Sequence, residues 1–218
     1  MSEKLFIYGT GSLGEKILEY NNRDRLYNIV GFIDDNNAEQ SFHGLPILTY
    51  DNFKKHYCPT DCKLFVAIGY VKCNSFREIV CQKIIKDGYH LANYISPHSI
   101  CFGDTIKGLN ILVCDNVFIG HGSAIYDGVV LSVGCTLSHE NVIDKYSFIS
   151  SCVVFGGHAK ISNNCFIGLH STIRDSVTIG SYSIVGSGTN VVKSVPEYTV
   201  TIGNPGVSTV KDTINVKI

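Results

Sequence analysis

An adjacent histidine and glutamate, His139 and Glu140, lie in the segment "TLSHENVIDK" of this 218-residue chain. A neutral histidine is the usual general base near pH 7, because its pKa lies close to the operating pH. A neighbouring carboxylate orients the ring and raises its basicity, and an exposed backbone N–H can donate to a developing oxyanion. Base, orienting acid and N–H donor together suffice for acyl transfer from a thioester without a covalent intermediate.

A six-residue period runs through the chain on both sides of this pair. Counting by six from Val113 to Val191 meets only bulky apolar residues, with no insertion. The positions four residues later are mostly small or β-branched, and Asn141 is the exception. The period indicates a hexapeptide β-helix, in which three blocks form a triangular coil of 18 residues. The blocks before Val113 drift by about one residue, which predicts an irregular first coil, and residues 191–218 should form a loop and an extended tail.

Residues 18 apart should lie directly above one another in such coils. His121 and Gly157 then flank His139, and His158 lies against Glu140. This spacing predicts one outward corner that carries the polar side chains, with the N–H of Gly157 left unshielded. Two other interpretations stay open, namely a solvated surface histidine and a metal ion held by the three histidines. No Cys/His ligand spacing supports the metal, so no metal is expected.

A glycine loop near the amino terminus, "YGTGSLG", has the spacing Gly9-x-Gly11-x-x-Gly14. It follows a predicted strand and opens a predicted helix, which is the context of a nucleotide-phosphate site. The α/β part is half of the usual dinucleotide fold, and no hydride-transfer domain follows it. One nucleotide-sized ligand therefore fits better than NAD, and a tight turn without a ligand is the alternative.

Strand-like and helix-like segments alternate over the first 94 residues. The predicted strands are "KLFIY", "NIVGFID", "KLFVAIG" and "HLANYI", and the predicted helices are "SLGEKILEY" and "FREIVCQKIIKDG". This order indicates a small parallel α/β sheet. Asp34 and Asp35 end the second strand, while Gly69 and Tyr70 follow the third. All four should lie at the carboxyl edge of the sheet, where ligands collect.

Composition excludes several classes of protein. Hydrophobic residues make up 44% and charged residues 17% of the chain, with 18 basic against 19 acidic side chains. This balance, without a basic block, argues against nucleic-acid binding. No apolar run approaches 18 residues and no signal-peptide pattern opens the chain, so a soluble cytoplasmic protein without a membrane partner is expected. The nine cysteines form no CxxC pair, and most are expected to be reduced packing thiols.

The whole pattern resembles the PglD/NeuD-like family of bacterial sugar acyltransferases, within the hexapeptide-repeat transferase superfamily. The resemblance covers residues 4 to about 210 and rests on "IYGTGSLG", "GFIDD", "VAIG", "SHENVI", "GGHAKISNNCFIG" and "TIGNPG". It implies an α/β plus β-solenoid fold: a Rossmann-like nucleotide-sugar-binding domain (1–94), a left-handed parallel β-helix (95–192), and a C-terminal loop and tail over the CoA site (193–218). It also implies a homotrimer with acetyl-CoA between neighbouring prisms.

The resemblance implies roles for individual residues. His139 would accept the proton, Glu140 would raise its basicity, and the N–H of Gly157 would bind the oxyanion. The nucleotide sugar would contact Gly11, Ser12, Leu13, Asp34 and Asp35, together with Gly69 and Tyr70 from the sheet edge. Acetyl-CoA would contact Leu169 and Ser187 in its groove and the C-terminal loop residues Gly203, Asn204 and Pro205.

One position departs from the family pattern. Members such as PglD carry a second histidine, nine residues after the catalytic one, which contacts the acetyl group; here that residue is Phe148. His158 is expected to take the place of this second histidine beside the thioester.

The expected function is transfer of acetyl from acetyl-CoA to the amine of a nucleotide-linked 4-amino-4,6-dideoxy sugar for surface-glycan synthesis. An O-acetyltransferase acting on sialic acid or another sugar hydroxyl is one alternative. A non-catalytic scaffold that binds a nucleotide sugar is the other. The residues leave open whether the nucleotide is UDP, dTDP or GDP.

Overall fold

The computed structural model describes residues 3–37 and 39–203, so Asn204 and Pro205 lie outside the described residues. The amino-terminal domain is a six-stranded sheet in the order β3-β4-β2-β1-β5-β6, parallel except for β3. Its strands are β1 Lys4–Tyr8, β2 Asn28–Ile33, β3 Ser41–Phe42, β4 Leu45–Leu48, β5 Lys63–Val66 and β6 His90–Leu91. Its helices are α1 Ser12–Asp24, α2 Tyr50–His56 and α3 Ser75–Lys86. The chain returns from β4 to the other side of β1, which makes the carboxyl ends of β1 and β5 the switch point where ligands bind.

Three parts of this domain differ from the prediction. The hairpin β3–β4 and helix α2 were not predicted, although His43 and Gly44 both have positive φ (49° and 77°), which suits a tight hairpin turn. The segment "HLANYI" was expected as one strand but forms two, because Asn93 turns the chain out of the sheet. The side chain of Asn93 donates a hydrogen bond to the carbonyl of Gly108 and accepts one from the N–H of Ile111. The strand that follows therefore belongs to the second domain.

Residues 94–201 form a parallel β-helix of short strands. The strands are β7 Tyr94–Ile95, β8 Ile100–Cys101, β9 Leu112–Val113, β10 Phe118–Ile119, β11 Ala124–Ile125, β12 Val130–Leu131, β13 Thr136–Leu137, β14 Val142–Ile143, β15 Phe148–Ile149, β16 Val154–Phe155, β17 Lys160–Ile161, β18 Phe166–Ile167, β19 Thr172–Ile173, β20 Thr178–Ile179, β21 Ile184–Val185, β22 Asn190–Val191 and β23 Val200–Thr201.

These strands form the three faces of a triangular prism. The first face holds β7, β9, β12, β15, β18, β21 and β23; the second holds β8, β10, β13, β16, β19 and β22; the third holds β11, β14, β17 and β20. Nearly all pairings join residues 18 apart, and each bulky residue of the six-residue series is at most 3% exposed. The α/β plus β-solenoid fold class, with the architecture expected of a left-handed β-helix, is confirmed.

The ends of the solenoid depart from the 18-residue register. Ile106 pairs with Ile125, an offset of 19, which is the drift expected for the first coil. Val195 pairs with Ile179 and β23 pairs with β21, both at an offset of 16. The prediction of a loop from residue 191 onward is therefore wrong as far as residue 201. The chain drops two residues between Val191 and Val195 and adds one more partial coil.

The amino-terminal domain packs on the first face of the prism. Leu5, Ile17 and Phe65 join one continuous hydrophobic core with the solenoid. At the edge between the first and second faces, Arg23 of α1 makes a bidentate ion pair with Asp115, at 2.7 and 2.9 Å. Within residues 3–37 and 39–203, the amino-terminal domain leaves the second and third faces, and the corner between them, uncovered. Among the described residues, no helix has the length and apolar character needed to cross a membrane.

Candidate active site

The three glycines of the loop after β1 have different structural roles. Gly9 has a φ of 110°, which a residue with a side chain rarely adopts, and makes the tight turn out of β1. A Cβ on Gly14 would overlap the carbonyl oxygen of Gly9, so this glycine lets α1 pack closely. A Cβ on Gly11 would meet nothing within 4 Å, so its backbone faces open space. This is the arrangement in which a loop admits a phosphate group.

Two cavities lie side by side at this edge of the sheet. The first, of about 200 Å³, is lined by Ser12, Leu13, Lys16, Gly69, Tyr70 and Phe148. The second, of about 160 Å³, is lined by Tyr8, Gly9, Asp34, Asp35, Asn36, Ile68 and Phe76. No side chain caps the amino terminus of α1. Its free N–H groups and the Lys16 ammonium suit the phosphates of a nucleotide.

Asp34 and Asp35, the two acidic residues predicted to bind the ligand, already accept hydrogen bonds from neighbouring residues. Asp34 accepts hydrogen bonds from the N–H and the hydroxyl of Thr10, and from the N–H of Asn36. Burial raises the pKa of Asp34, but these hydrogen bonds outweigh it and hold the pKa below its usual value. Asp35 accepts from the Tyr8 hydroxyl and from the N–H of Tyr50, both at 2.7 Å. Each carboxylate keeps free lone pairs that could accept a ribose hydroxyl.

His139 and Glu140 lie at the corner between the second and third faces, which we call the histidine corner (His121, His139, Glu140, Gly157 and His158). The Nδ1 atom of His139 is 3.1 Å from Oε2 of Glu140. This contact favours the tautomer with the proton on Nδ1, which leaves Nε2 free to accept a proton. Nε2 makes no hydrogen bond to any part of the chain that the structure describes. The His139 side chain is 40% exposed, so a substrate can reach it.

Gly157 lies under the His139 ring, one coil away. A Cβ at Gly157 would lie 2.5 Å from Nε2 of His139, so only glycine leaves room for the ring in this position. The N–H of Gly157 is not free, because it donates to Oδ1 of Asp175 at 2.6 Å. Asp175 is exposed and lies 18 residues after Gly157, one coil further on.

The other two histidines of the corner contact the pair from opposite sides. Nε2 of His158 is 3.3 Å from the same Glu140 oxygen, and the rings of His121 and His139 stack 5.7 Å apart. The hydrogen bond from His139, followed by the charge of His158, lowers the pKa of Glu140. His158 thus contacts the acid of the pair. Possible metal-ligand atoms of His121, His139 and Glu140 lie within 4.8 Å of one another, and the absence of a metal requirement stays a prediction.

Asn141 ties three coils together beneath this corner. Its N–H donates to the Ser123 hydroxyl, and its Oδ1 accepts the N–H of Ala159 at 3.0 Å. The residue is fully buried, and its Nδ2 has no partner within the described residues. Because Ser123 and Ala159 follow His121 and His158 closely in sequence, Asn141 fixes the spacing between the histidines.

The residues expected to bind acetyl-CoA lie in two other places. Leu169, Ser187 and Gly203 lie at the corner between the first and second faces, where the N–H of Gly203 donates to the hydroxyl of Thr189. Phe148 lies on the first face and packs against Tyr70, with ring centroids 5.3 Å apart. The structure therefore brings Phe148 together with the predicted sugar-binding residues and not with His139.

The histidine corner and the two cavities at the sheet edge lie on opposite sides of the prism. Phe148 and the amino-terminal domain cover the first face, and His139 lies at the corner that faces away from it. A side of six residues, at ~3.3 Å each, places that corner on the order of 15 Å from the first face. A ligand held in the cavity of one chain would have to pass around the prism to reach His139 of the same chain.

Sequence reasoning missed two residues beside these sites. Lys16 lies one helical turn after Ser12, so helical spacing would have placed both at the cavity. Asp175 lies 18 residues after Gly157, so the stacking rule would have placed it there. The signal for each was present in the residue spacing.

Comparisons with known proteins agree with this architecture. Residues 4–84 match the PglD N-terminal domain family. The acetyltransferase domain of PglB from Neisseria gonorrhoeae FA1090 is 25% identical, with a TM-score of 0.84 over 93% of this chain and 98% of that chain. PerB from Caulobacter crescentus, solved in complex with CoA and GDP-perosamine, shares the fold at 22% identity, with a TM-score of 0.80 over 92% and 94%. These matches confirm the family resemblance.

The first curated relatives match between 44% and 59% of this chain. Galactoside O-acetyltransferase of Escherichia coli K12 is 36% identical over 101 residues, which are 44% of this chain and 45% of that protein. The chain spans about half or less of the length of the first curated relatives it matches.

Proposed function

We propose that this chain, a member of the hexapeptide-repeat sugar acyltransferases that carry a PglD N-terminal domain, transfers acetyl from acetyl-CoA to the amine of a nucleotide-linked 4-amino-4,6-dideoxy sugar. One observation carries the proposal: His139, oriented by Glu140, lies over the bare backbone of Gly157. An amine acceptor is favoured by the shared fold with PerB, which was solved with GDP-perosamine. We expect a cytoplasmic enzyme, where the nine free thiols stay reduced.

In the proposed reaction the sugar amine attacks the thioester carbonyl carbon, and a C–N bond forms as the C=O becomes an oxyanion. Nε2 of His139 takes a proton from the attacking nitrogen, while Glu140 stabilises the resulting imidazolium. The C–S bond then breaks, the carbonyl re-forms, and the CoA thiolate receives the proton from His139. No step needs a metal ion, so we expect activity to survive treatment with EDTA.

The N–H of Gly157 is the proposed donor to the oxyanion. In the structure this N–H donates to Asp175. A carboxylate and an oxyanion cannot share one donor, so we propose that the exposed Asp175 side chain turns away when the thioester carbonyl binds. The Gly157 N–H then stabilises the transition state more than the bound thioester, because the ground-state carbonyl carries less charge than the oxyanion.

The proposed assembly is a homotrimer with its active sites between chains. The distance between the cavities and His139 supports this, since one chain must present the sugar to the base of another. The second face also exposes large apolar side chains, with Ile100 57%, Phe102 49% and Val154 44% accessible. A second copy of the chain would cover this face, and closed symmetry would repeat the contact three times. The acetyl-CoA would lie between the copies, against Leu169 and Ser187 from one of them.

A sugar O-acetyltransferase is the second candidate, favoured by the local similarity to galactoside O-acetyltransferase. The same histidine would activate a hydroxyl in place of an amine. A non-catalytic scaffold is the third, and it would bind the nucleotide sugar without releasing CoA.

The test is a CoA-thiol release assay with UDP-, dTDP- and GDP-linked 4-amino-4,6-dideoxy sugars. We expect release with at least one of them, and a product that resists hydroxylamine because it is an amide. A hydroxylamine-labile product would instead identify an ester and an O-acetyltransferase. Binding of a nucleotide sugar without any thiol release would refute catalysis and support the scaffold.

A further inference from the structure

Arg77, in the first turn of α3, is fully buried and makes no ion pair with any acid in the described residues. Its guanidinium donates instead to four main-chain carbonyls. Nε and Nη2 reach Gly128 (3.1 Å) and Tyr146 (3.2 Å), which lie on successive coils of the solenoid. Nη1 reaches Ile68 (2.9 Å) and Gly69 (3.2 Å), in the loop after β5. One side chain therefore joins the solenoid to the loop that borders both nucleotide cavities.

That loop, residues 68–74, has an unusual backbone. Lys72, Cys73 and Asn74 have consecutive positive φ angles of 51°, 48° and 62°. Residues other than glycine enter this region singly and rarely, so three in succession persist only where the surroundings hold them. Asn74 is fully buried and donates through Nδ2 to the carbonyl of Cys165, at 3.0 Å. The loop is thus fixed to the solenoid at two points, through Asn74 and Arg77.

The fixed loop determines where Tyr70 lies. The Tyr70 ring packs 4.7 Å from Phe166 and 5.3 Å from Phe148, both on the first face of the prism. Tyr70 and Gly69 form one wall of the cavity whose other wall is the start of α1. A shift of the loop would move this wall relative to Ser12 and Leu13, and the cavity would change width.

We propose that Arg77 is a positioning residue, which holds the loop of residues 68–74 against the solenoid and so sets the wall of the cavity that receives the nucleotide-linked sugar. The planar fork of arginine reaches carbonyls on two separate elements at once. A lysine ammonium is a single point of charge and could serve only one of them. The inference rests on the proposed function only in its choice of ligand for the cavity.

The kinetic test compares Arg77→Lys with the wild-type protein, using the UDP-, dTDP- or GDP-linked amino sugar that the wild type acetylates. We expect the KM for this sugar to rise roughly tenfold or more, while kcat and the KM for acetyl-CoA stay within about twofold. Tyr70→Ala, at a side chain that is 58% exposed, should reproduce the rise without disturbing the core. An unchanged KM in Tyr70→Ala would overturn the proposal even if Arg77→Lys folds poorly, because Tyr70 would then not be the wall that sets binding.

Asn164→Ala is the matched control for a merely structural role. It removes the 3.0 Å hydrogen bond from Asn164 to Glu78, in the same contact between α3 and the solenoid. The hydrogen bonds of Asn74 and Arg77 go to main-chain carbonyls and keep both partners in this variant. We expect this control to lower the melting temperature without changing the KM for the sugar. Equal changes of KM in Asn164→Ala and Arg77→Lys would overturn the proposal.

Tryptic cleavage after Lys72 provides a second readout, which does not depend on activity. Lys72 is exposed but lies in the fixed loop, so native cleavage should be slow in the wild type and in Asn164→Ala, and faster in Arg77→Lys. Unchanged cleavage in Arg77→Lys would overturn the role of Arg77, and so would faster cleavage with an unchanged KM. Failure of the wild type to acetylate any sugar in the panel would refute the proposed function instead, whatever the cleavage result.

Discussion

Mixed trimers offer a direct test of an active site built between chains. One variant is His139→Ala, which lacks the base but keeps the nucleotide cavities. The other is Gly11→Phe, which keeps the base but fills the ligand side of the glycine loop. The fold should tolerate Gly11→Phe, because a Cβ there meets nothing within 4 Å and the φ of −77° suits any residue. Each variant alone should be inactive.

The expected activity of the mixture follows from the geometry. Each site of a trimer takes its histidine from one chain and its cavity from a neighbour. In a random equal mixture the first chain carries His139 half of the time, and the second chain carries an open cavity half of the time. About one quarter of the sites should therefore work, under the closed symmetry of a homo-oligomer. If one chain supplied both parts, no site in the mixture would work.

The assay co-expresses the two variants with different tags and purifies the mixed trimers through both tags in turn. CoA-thiol release is then measured per chain, beside homotrimers of each variant. Purification through both tags removes the homotrimers, and each mixed trimer has one working site of its three, so recovery near one third of the wild-type rate supports sites between chains. An inactive mixture with confirmed mixed subunits would refute the opposite-side geometry, and a monomeric protein with full activity would refute it as well.

Three further perturbations test separate parts of the structure. Gly157→Ala should lower turnover at least ~100-fold, the low end of what a general base contributes. The melting temperature of this variant should change little, because the half-exposed His139 ring can rotate away from the new methyl group. Near-normal turnover would show that the contact between the His139 ring and Gly157 does not position the base. Asn141→Ser should lower turnover more than the melting temperature. Serine is too short to accept the N–H of Ala159, which loosens the spacing of the histidines, but the variant also removes the unpaired buried Nδ2, which offsets part of the lost stability. A fall in melting temperature without a fall in turnover would contradict this role of Asn141. Arg23→Met should lower the melting temperature at pH 7, because it removes the bidentate contact with Asp115. Hydrogen bonds from Arg23 lower the pKa of Asp24 and of Asp115 below 3.8, so this stabilisation is present above pH 3.8 and lost as the pH falls through the lowered values. Thermal unfolding should show the full difference at pH 7 and a progressively smaller one as the pH falls below 3.8.

The six-residue period was sufficient to predict most of the histidine corner. Once the coil length is 18, the neighbours of His139 and Glu140 follow by addition, and the structure places His121, Gly157 and His158 where the count puts them. The same addition leads to Asp175, which was overlooked although it binds the proposed oxyanion donor. The glycine loop was equally predictable, because its fingerprint depends on local backbone geometry.

Other features could not be read from the sequence, because they depend on contacts between distant segments. Arg77 looks like a surface residue of an amphipathic helix, and its burial is decided by the coils on which α3 packs. The turn at Asn93 depends on partners at Gly108 and Ile111, 15 and 18 residues away. The separation of the cavities from His139 emerges only when the amino-terminal domain is placed on the first face.

The most direct test of the central claim is turnover of His139→Asn, which keeps a polar side chain of similar size but provides no base. With a nucleotide-linked amino sugar and acetyl-CoA both saturating, we expect the rate of CoA release to fall at least ~100-fold, as loss of a general base predicts. Binding of the nucleotide sugar should stay unchanged, because the cavity lies on the other side of the prism. A near-normal rate in this variant would show that His139 is not the base and would contradict the account.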